Sequence, residues 1–213
     1  MAGGDRQKKM SVRAQKRMQN RDAILRAAVG VFGEQGFGAT SVRDIIRRTD
    51  LATGTFYNYF DSKEDVFRAL VTQVGEDLRE RLRAARGAAD SVNKFVENSF
   101  RIYFTYYAEH PDIFMMLRSN QTYNGSIIGM EDHQARTGLH ELRADIAAAR
   151  RQNIFPDVDI DYLTAAIGGV AFALVGEMMQ RRPVDPDAAT VFATQLFLHG
   201  ITGYDQPHHA LND

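Results

Sequence analysis

The stretch TGTFYNYFDSKED, Thr53 to Asp65, sets four aromatic rings (Phe56, Tyr57, Tyr59 and Phe60) within five positions and then turns polar. Bracketed by Gly54 and Asp61, the run is too short to bury all four. Phe56 and Phe60 stand four apart, so on a helix they share one face and read as core. Tyr57 lies beside that face, while Asn58 and Tyr59 project from others. The spacing therefore expects two phenyls turned inward and two hydroxyl-bearing rings offered outward. Asp61 or Ser62 caps the helix that follows, because Asp61/Glu64 and Ser62/Asp65 both have the capping spacing.

Upstream, Ile24, Leu25, Ala28, Val31 and Phe32 fall at helical spacing on one face of a first helix from about Arg21 to Gln35. Gly36 suits the left-handed residue that ends a helix. Ser41 and Asp44 form a capping-box-like pair that opens a short second helix, with Val42, Ile45 and Ile46 turned inward. Leu51 to Tyr59 makes a third. Three short helices, the second and third joined by a tight turn, are a helix-turn-helix layout.

Downstream the pattern stays helical. A long helix reaches about Arg86. Others run from Ser91 to Glu109, from Asp112 to Asn120, up to Arg151, and from Asp159 to about Arg181. The last starts at Asp185, with Pro186 in the first helical position, and ends near Gly203. With no sustained period-2 alternation, the expected fold is all-α with roughly nine helices. The expected division is a basic flexible arm over 1–20, a helix-turn-helix domain over 21–66, and a larger helical domain over 67–213.

Composition narrows the function classes. The 213 residues are 44% hydrophobic and 25% charged, an ordinary soluble balance. The absence of cysteine excludes disulfides, thiolate catalysis and cysteine-ligated zinc. The N-terminal charges lead into no apolar run, and residue 2 is Ala2 rather than the glycine of a myristoylation site, so a cytoplasmic protein is expected. The net charge of −1 hides an asymmetry: residues 1–63 carry 12 Lys/Arg against 6 Asp/Glu, and 64–213 carry 14 against 21. A basic part that meets a polyanion and an acidic part that stays off it fit that split. The helix YLTAAIGGVAFALVG, Tyr162 to Gly176, stops at Glu177 after 15 residues. A membrane span needs about 20, so a buried helix is expected.

Residues Ile24 to Phe67 resemble the N-terminal DNA-binding domain of TetR-family transcriptional regulators. The matching features are Ala27-Ala28 and Phe32, Gly36-Phe37, Thr40-Ser41-Val42, Gly54-Thr55, Tyr57, Tyr59-Phe60 and Ser62-Lys63-Glu64. The resemblance covers about a fifth of the chain. Carried over position by position, it implies DNA contacts at Ser41, Arg43, Thr53, Gly54, Thr55, Tyr57, Asn58, Tyr59 and Lys63. The chemistry fits: hydroxyls, a methyl and a glycine allow close approach to a major groove, and Tyr57 and Lys63 can reach phosphates. Arg47 and Arg48 read as solvated or long-range attractors. Two positions depart from the family pattern. Ala52 stands where a capping serine is frequent, and Thr53 replaces a frequent lysine, so no base preference carries over. Ahead of the first helix, Lys8, Lys9, Arg13, Lys16 and Arg17 suit an arm along or in the minor groove.

The resemblance further implies a helical C-terminal domain that dimerises and holds a small-molecule effector. The expected function is repression of a palindromic operator by the dimer, with release by an effector that the apolar residues of the helix from Ser91 mark as lipophilic. The two most apolar helices are the last two, and their candidate interface residues are Ile167, Val170, Leu174, Met178, Phe192, Gln195, Leu196 and His199. Candidate pocket residues are Phe100, Tyr103, Phe104, Tyr107, Phe114, Met115, Arg118, Tyr123, His133, Arg136 and His140, an apolar wall with sparse polar anchors. No catalytic residue, metal or cofactor is expected. His133 and His140 are seven apart, whereas paired helical metal ligands stand three or four apart, and no G-x-S-x-G elbow occurs. The rival readings are a metal-dependent or hydrolytic helical enzyme, an effector-independent architectural DNA binder and a pure interaction module.

Overall fold

The structure, a computed structural model, describes residues 12–119 and 133–200, with side chains over 14–119 and 137–200. Among these residues there are nine helices and no strand: α1 (Val12–Ala39), α2 (Val42–Ile46), α3 (Thr53–Phe56), α4 (Lys63–Gly87), α5 (Val92–Glu109), α6 (Pro111–Ser119), α7 (His133–Arg151), α8 (Ile160–Met178) and α9 (Pro186–His199). Side-chain caps stand where the sequence places them. Ser41, Ser62, Ser91, Asp159 and Asp185 each accept from a main-chain N–H in the first turn of the helix that follows.

One expected boundary is wrong. α1 begins at Val12, not Arg21, so the stretch 12–20 expected as flexible arm is helix. The apolar stripe begins only at Ile24, but Ala14, Gln15, Lys16, Arg17 and Met18 are strong helix formers, and the helix propagates through them without burial. At its other end α1 kinks at Gly36 (φ 75°, ψ 161°), a conformation that a β-carbon makes costly.

The chain divides into two compact units, Met1–Val71 with Asp112–Gly129 and Thr72–Pro111 with Met130–Asp213. The boundary falls inside α4, and α6 joins the first unit from Asp112 onward. In that unit Ile24, Leu25, Ala28, Val31 and Phe32 of α1 are all buried, with Ile45, Ile46, Phe56, Phe60, Val66 and Phe67. Phe32, Phe37 and Phe67 form a ring triangle with centroids 5.3–5.5 Å apart, tying both ends of the α1 turn to α4. At roughly 1.5–3 kcal/mol per buried phenyl, this cluster is a principal stabiliser of so small a unit. α6 lies against α1 at Gly33, where Ser119 Oγ donates to the Gly33 carbonyl at 3.1 Å.

The second unit is built around α5, which packs most extensively along α9. Phe100 and Phe197 meet at 5.5 Å, and Arg101 donates to Asp187 at 2.8 Å. α7 packs on α8, with the Leu139 side chain over Gly168, where a β-carbon would collide with it. Arginines on α4 face carboxylates on α7: Arg83 to Glu141 at 2.7 Å, Arg79 to Glu141 at 3.7 Å and Arg86 to Asp145 at 3.3 Å. The Arg86 guanidinium is buried, and burial lowers its pKa against the opposing pull of Asp145 and Glu141.

Candidate nucleic-acid interface

The turn from α2 into α3 is made by Thr49, whose hydroxyl donates to the Ile46 carbonyl at 2.9 Å and accepts from the Leu51 N–H at 3.2 Å. α3 then presents two faces. Phe56 (0% exposed) and Phe60 (6%) point inward with rings 6.0 Å apart, while Tyr57 is 58% exposed and edge-on to Phe56. Thr53, Gly54 and Asn58 are exposed beside Tyr57, and Thr55 is half-buried. Ala52 supplies no side-chain cap, as its missing hydroxyl implied. A β-carbon added at Gly54 would meet nothing within 4 Å, so the domain itself has no steric need for glycine there.

Four residues with expected solvent or DNA-facing roles are engaged within the chain. Lys63 Nζ donates to the carbonyls of Phe37 at 2.8 Å and Thr40 at 2.7 Å, and sits 4.5 Å from the Phe37 ring centroid. In the chain without DNA the charge is thus held by the orphan carbonyls where α1 ends, a partnership the sequence did not suggest. The Tyr59 hydroxyl accepts from Asn20 Nδ2 at 3.2 Å and is half-buried, so its first task is to join α1 to the end of α3. Ser41 Oγ donates to the Asp44 carboxylate at 2.5 Å, and the Ser41 N–H donates to the same oxygen at 2.9 Å. These two bonds, hydroxyl first, hold the Asp44 carboxyl below its ordinary pKa and spend the donors that a phosphate would have used. Arg48, read as a solvated attractor, is instead in a bidentate ion pair with Glu34 of α1. Arg43 and Arg47 stay exposed, Arg47 with Asp44 at 3.9 Å.

What the sequence reading missed is Asn20. Its type gives no signal. Its importance lies in being on α1 beside Tyr59, and that contact spans 39 positions in sequence.

The expected effector residues separate. Phe100, Phe104 and Tyr107 are buried on α5, with Tyr103 stacked edge-on against Tyr107 at 5.0 Å. Burial pushes the Tyr103 phenol up to about 12 and Tyr107 well above its ordinary value, so both stay neutral hydrogen-bonding groups. Phe114 is buried while Met115 and Arg118 are exposed, and all three belong to the first unit. His140 is exposed; Tyr123 and the side chains of His133 and Arg136 lie outside the described residues. Three buried polar atoms of α8 and α9 have no hydrogen-bond partner among the described residues: Thr164 Oγ1, Thr194 Oγ1 and Gln195 Oε1. A groove of about 400 Å³ in the first unit, lined by Arg26, Arg48, Thr49 and Asp50 among others, is open and charged rather than an enclosed apolar site.

The expected interface residues also divide. Ile167 and Met178 are buried within the subunit and serve its own core, which corrects their assignment to a partner. Val170, Leu174, Gln195 and Leu196 are half-buried, while Phe192 and His199 are exposed. α8 is not the buried helix its composition implied. It is long and apolar enough to cross a membrane by length and composition, yet only 22% of its most apolar 18-residue window is buried. Tyr162, Phe172 and Val191 of α8 and α9 are exposed as well, and were not singled out from sequence as interface residues. Among the described residues no cluster of three potential metal ligands occurs.

Residues 24–70 match the sequence profile of "Bacterial regulatory proteins, tetR family". The chain is 24% identical over 192 residues to the uncharacterized HTH-type transcriptional regulator YdgC of Bacillus subtilis, covering 87% of this chain and 94% of that one. Its fold is similar to the fatty acid degradation regulator FadR of Bacillus halodurans, with a TM-score of 0.78, 22% identity, and coverage of 86% and 97% of the two chains. It is also similar to the transcriptional regulator FadR of Bacillus subtilis, solved in complex with stearoyl-CoA, with a TM-score of 0.75, 20% identity, and coverage of 84% and 98%.

Proposed function

From the premise that this chain belongs to the tetR family of bacterial regulatory proteins, we propose that it is a ligand-responsive repressor that binds a palindromic operator as a homodimer. One observation carries the DNA-binding half. α3 is locked to its domain by Phe56 and Phe60, yet shows the outside Thr53, Gly54, Tyr57 and Asn58, and the glycine answers no packing need of its own. A helix so held can enter a major groove, its glycine allowing the backbone to approach and its hydroxyls and amide reading edges or phosphates. Arg43 adds a phosphate contact from α2. Lys63, Tyr59 and Ser41 fix the geometry from within. The protein acts in the cytoplasm, without a catalytic step or a resident cofactor.

The second unit, with its apolar α8 and α9 surface, is the dimerising part and the effector domain. The effector is a lipophilic acyl chain, carried as a thioester or free acid, and the fold's likeness to regulators of fatty acid metabolism supports that class. Tyr103 and Tyr107 supply neutral hydrogen-bonding groups inside an apolar wall. Binding shifts α4, which carries residues of both units, and moves the dimer to a spacing that no longer fits the operator. Only a ligand with unequal affinity for the two states can do this.

The test is selection of genomic fragments with purified protein, followed by titration of the bound fragments with acyl-CoAs of increasing chain length. Release by long chains, and not by CoA alone, is the expected result. Fragments retained in the presence of every acyl compound that raises the melting temperature would sink the effector half.

A further inference from the structure

We infer that the N-terminal extension of α1, residues 12–20, is a rigid phosphate-binding stripe that flanks the recognition helix, with Lys16 and Arg17 as its contacts and Asn20 as its anchor. The inference rests on the DNA-binding reading above and adds to it a second binding surface.

Ahead of Asn20 the extension is not held by burial. Every residue from Ala14 to Gln19 is exposed, including Met18 at 51%, and the first fully buried side chain of α1 is Ile24. The segment is nevertheless fixed in direction, because the same helix is tied to the far end of the recognition helix. Asn20 Nδ2 donates to the Tyr59 hydroxyl at 3.2 Å, and the Arg21 guanidinium lies 5.3 Å from the Phe60 ring centroid. Lys16 and Arg17 stand four and three positions before Asn20, so they share the helical face that touches Tyr59. No acidic residue occurs from 12 to 21, and neither Lys16 nor Arg17 makes an ion pair among the described residues. Both charges are therefore unspent, in contrast to Arg48 and Lys63 of the same unit. Two exposed cations on an otherwise idle helix, aligned with an anchor on the recognition helix, fit a polyanion that the recognition helix also meets.

Helicity also decides where on the duplex the stripe can lie. A helix with its side chains is about 10–12 Å across, whereas the minor groove is only about 6 Å wide. The segment cannot thread the minor groove as an extended arm would. It lies against the sugar–phosphate backbone at the edge of the groove that α3 enters, where it adds affinity without sequence information.

The test measures affinity by fluorescence anisotropy from low to moderate salt, using full-length protein and duplexes that the wild type selects. The double variant K16A/R17A deletes two phosphate-neutralising cations from each of two protomers. Its slope of log K against log salt is therefore shallower by about 3–4, at roughly 0.9 per phosphate. Sequence preference stays unchanged. A control that removes two exposed charges from the second unit, R151A/R182A, keeps the wild-type slope. N20A keeps the slope but binds more weakly at every salt concentration, because the cations remain and their register is lost. An unchanged slope in K16A/R17A, or an equal flattening in the control, overturns the stripe. Wild-type affinity in N20A overturns the anchor. If the wild type selects no sequence at all, the regulator reading falls, while the slope comparison on random duplex still decides the stripe.

Discussion

The two units use aromatic and aliphatic side chains in opposite ways. In the first, the apolar residues of a short amphipathic helix are consumed: Phe56 is 0% exposed, and the rings left outside carry hydroxyls. In the second, the most apolar helix of the chain is left largely uncovered, with Phe172 at 52% and Tyr162 at 80% exposure. The lesson is that apolarity alone does not report burial. A segment is buried when its own chain supplies a partner for each face, and α8 has partners for one face only. Ile167, Ala171, Val175 and Met178 line the covered face, and the other is open.

The sharpest way to break that contrast is to damage one ring of each kind. Phe56→Ala removes a fully buried phenyl, which costs roughly 3–5 kcal/mol, enough to unfold much of a small unit. Operator binding is abolished, and hydrogen exchange of the α1 and α4 amides rises. Phe172→Asp, in contrast, leaves the melting profile of the subunit's secondary structure intact and shifts sedimentation from dimer to monomer. A Phe172→Asp chain that aggregates or melts like the Phe56 variant would mean that the α8 face is core after all.

The first unit was legible in the sequence to the level of single caps and single buried rings. Its signals are local: a capping box closed over three positions, phenyls four apart, a glycine at a kink. What the sequence did not show there was how long-range partners spend charges. Lys63 looks like a free cation in SKED, and only the fold brings main-chain carbonyls to it. Tyr59 and Tyr57 look alike in the string, yet only Tyr59 meets Asn20, while Tyr57 stays exposed against the edge of Phe56. In the second unit the helices were equally legible but their roles were not. Spacing within α8 separates its two faces, yet which face the subunit itself covers depends on α5, α7 and α9. Ile167 and Met178 therefore read as interface and proved to be core, while Phe172 was passed over.

Lys63 offers the next test of the contrast between spent and unspent charge. Lys63→Met keeps much of the side chain's apolar stem and deletes the donor to the Phe37 and Thr40 carbonyls. A decrease of roughly 2 kcal/mol in stability is expected from unsatisfied main-chain acceptors. The salt slope of DNA binding stays at the wild-type value, because Lys63 neutralises no phosphate. A flatter slope with unchanged stability would restore Lys63 to the backbone-contacting set.

Smaller in stability and opposite in sign is Gly54→Ala. The added methyl meets no atom of the chain, and replacing glycine inside a helix gains up to about 1 kcal/mol. Operator affinity falls by about tenfold or more, the size of one good groove contact, since the methyl stands where the backbone approaches DNA. Most substitutions that weaken binding also weaken the fold, so this separation of stability from affinity is diagnostic. Equal affinity would remove Gly54 from the interface.

The smallest effects are the pH limbs, and they differ between the units in direction. Asp44 has a folded pKa below its ordinary 3.8 because Ser41 donates to it twice. A depressed carboxyl pKa contributes stability that is present above the unfolded value and is lost as pH falls through the folded one. Exchange of the α2 amides therefore rises as the pH drops below 3.8, and Asp44→Asn removes that acid limb. Tyr103 behaves in reverse. Its phenol is raised from the ordinary 10.0 to about 12, so the neutral form is favoured in the folded chain. Stability on its account is constant below 10.0 and declines as the pH climbs toward about 12, where the unfolded chain ionises first. Tyr103→Phe makes the alkaline limb in the α5 amides shallower, with the raised phenol of Tyr107 supplying the remainder, and leaves the acid limb of α2 untouched. If a single substitution flattened both limbs, the two units would be losing structure as one cooperative body, and the separation between a locally determined first unit and a partner-dependent second one would have to be abandoned.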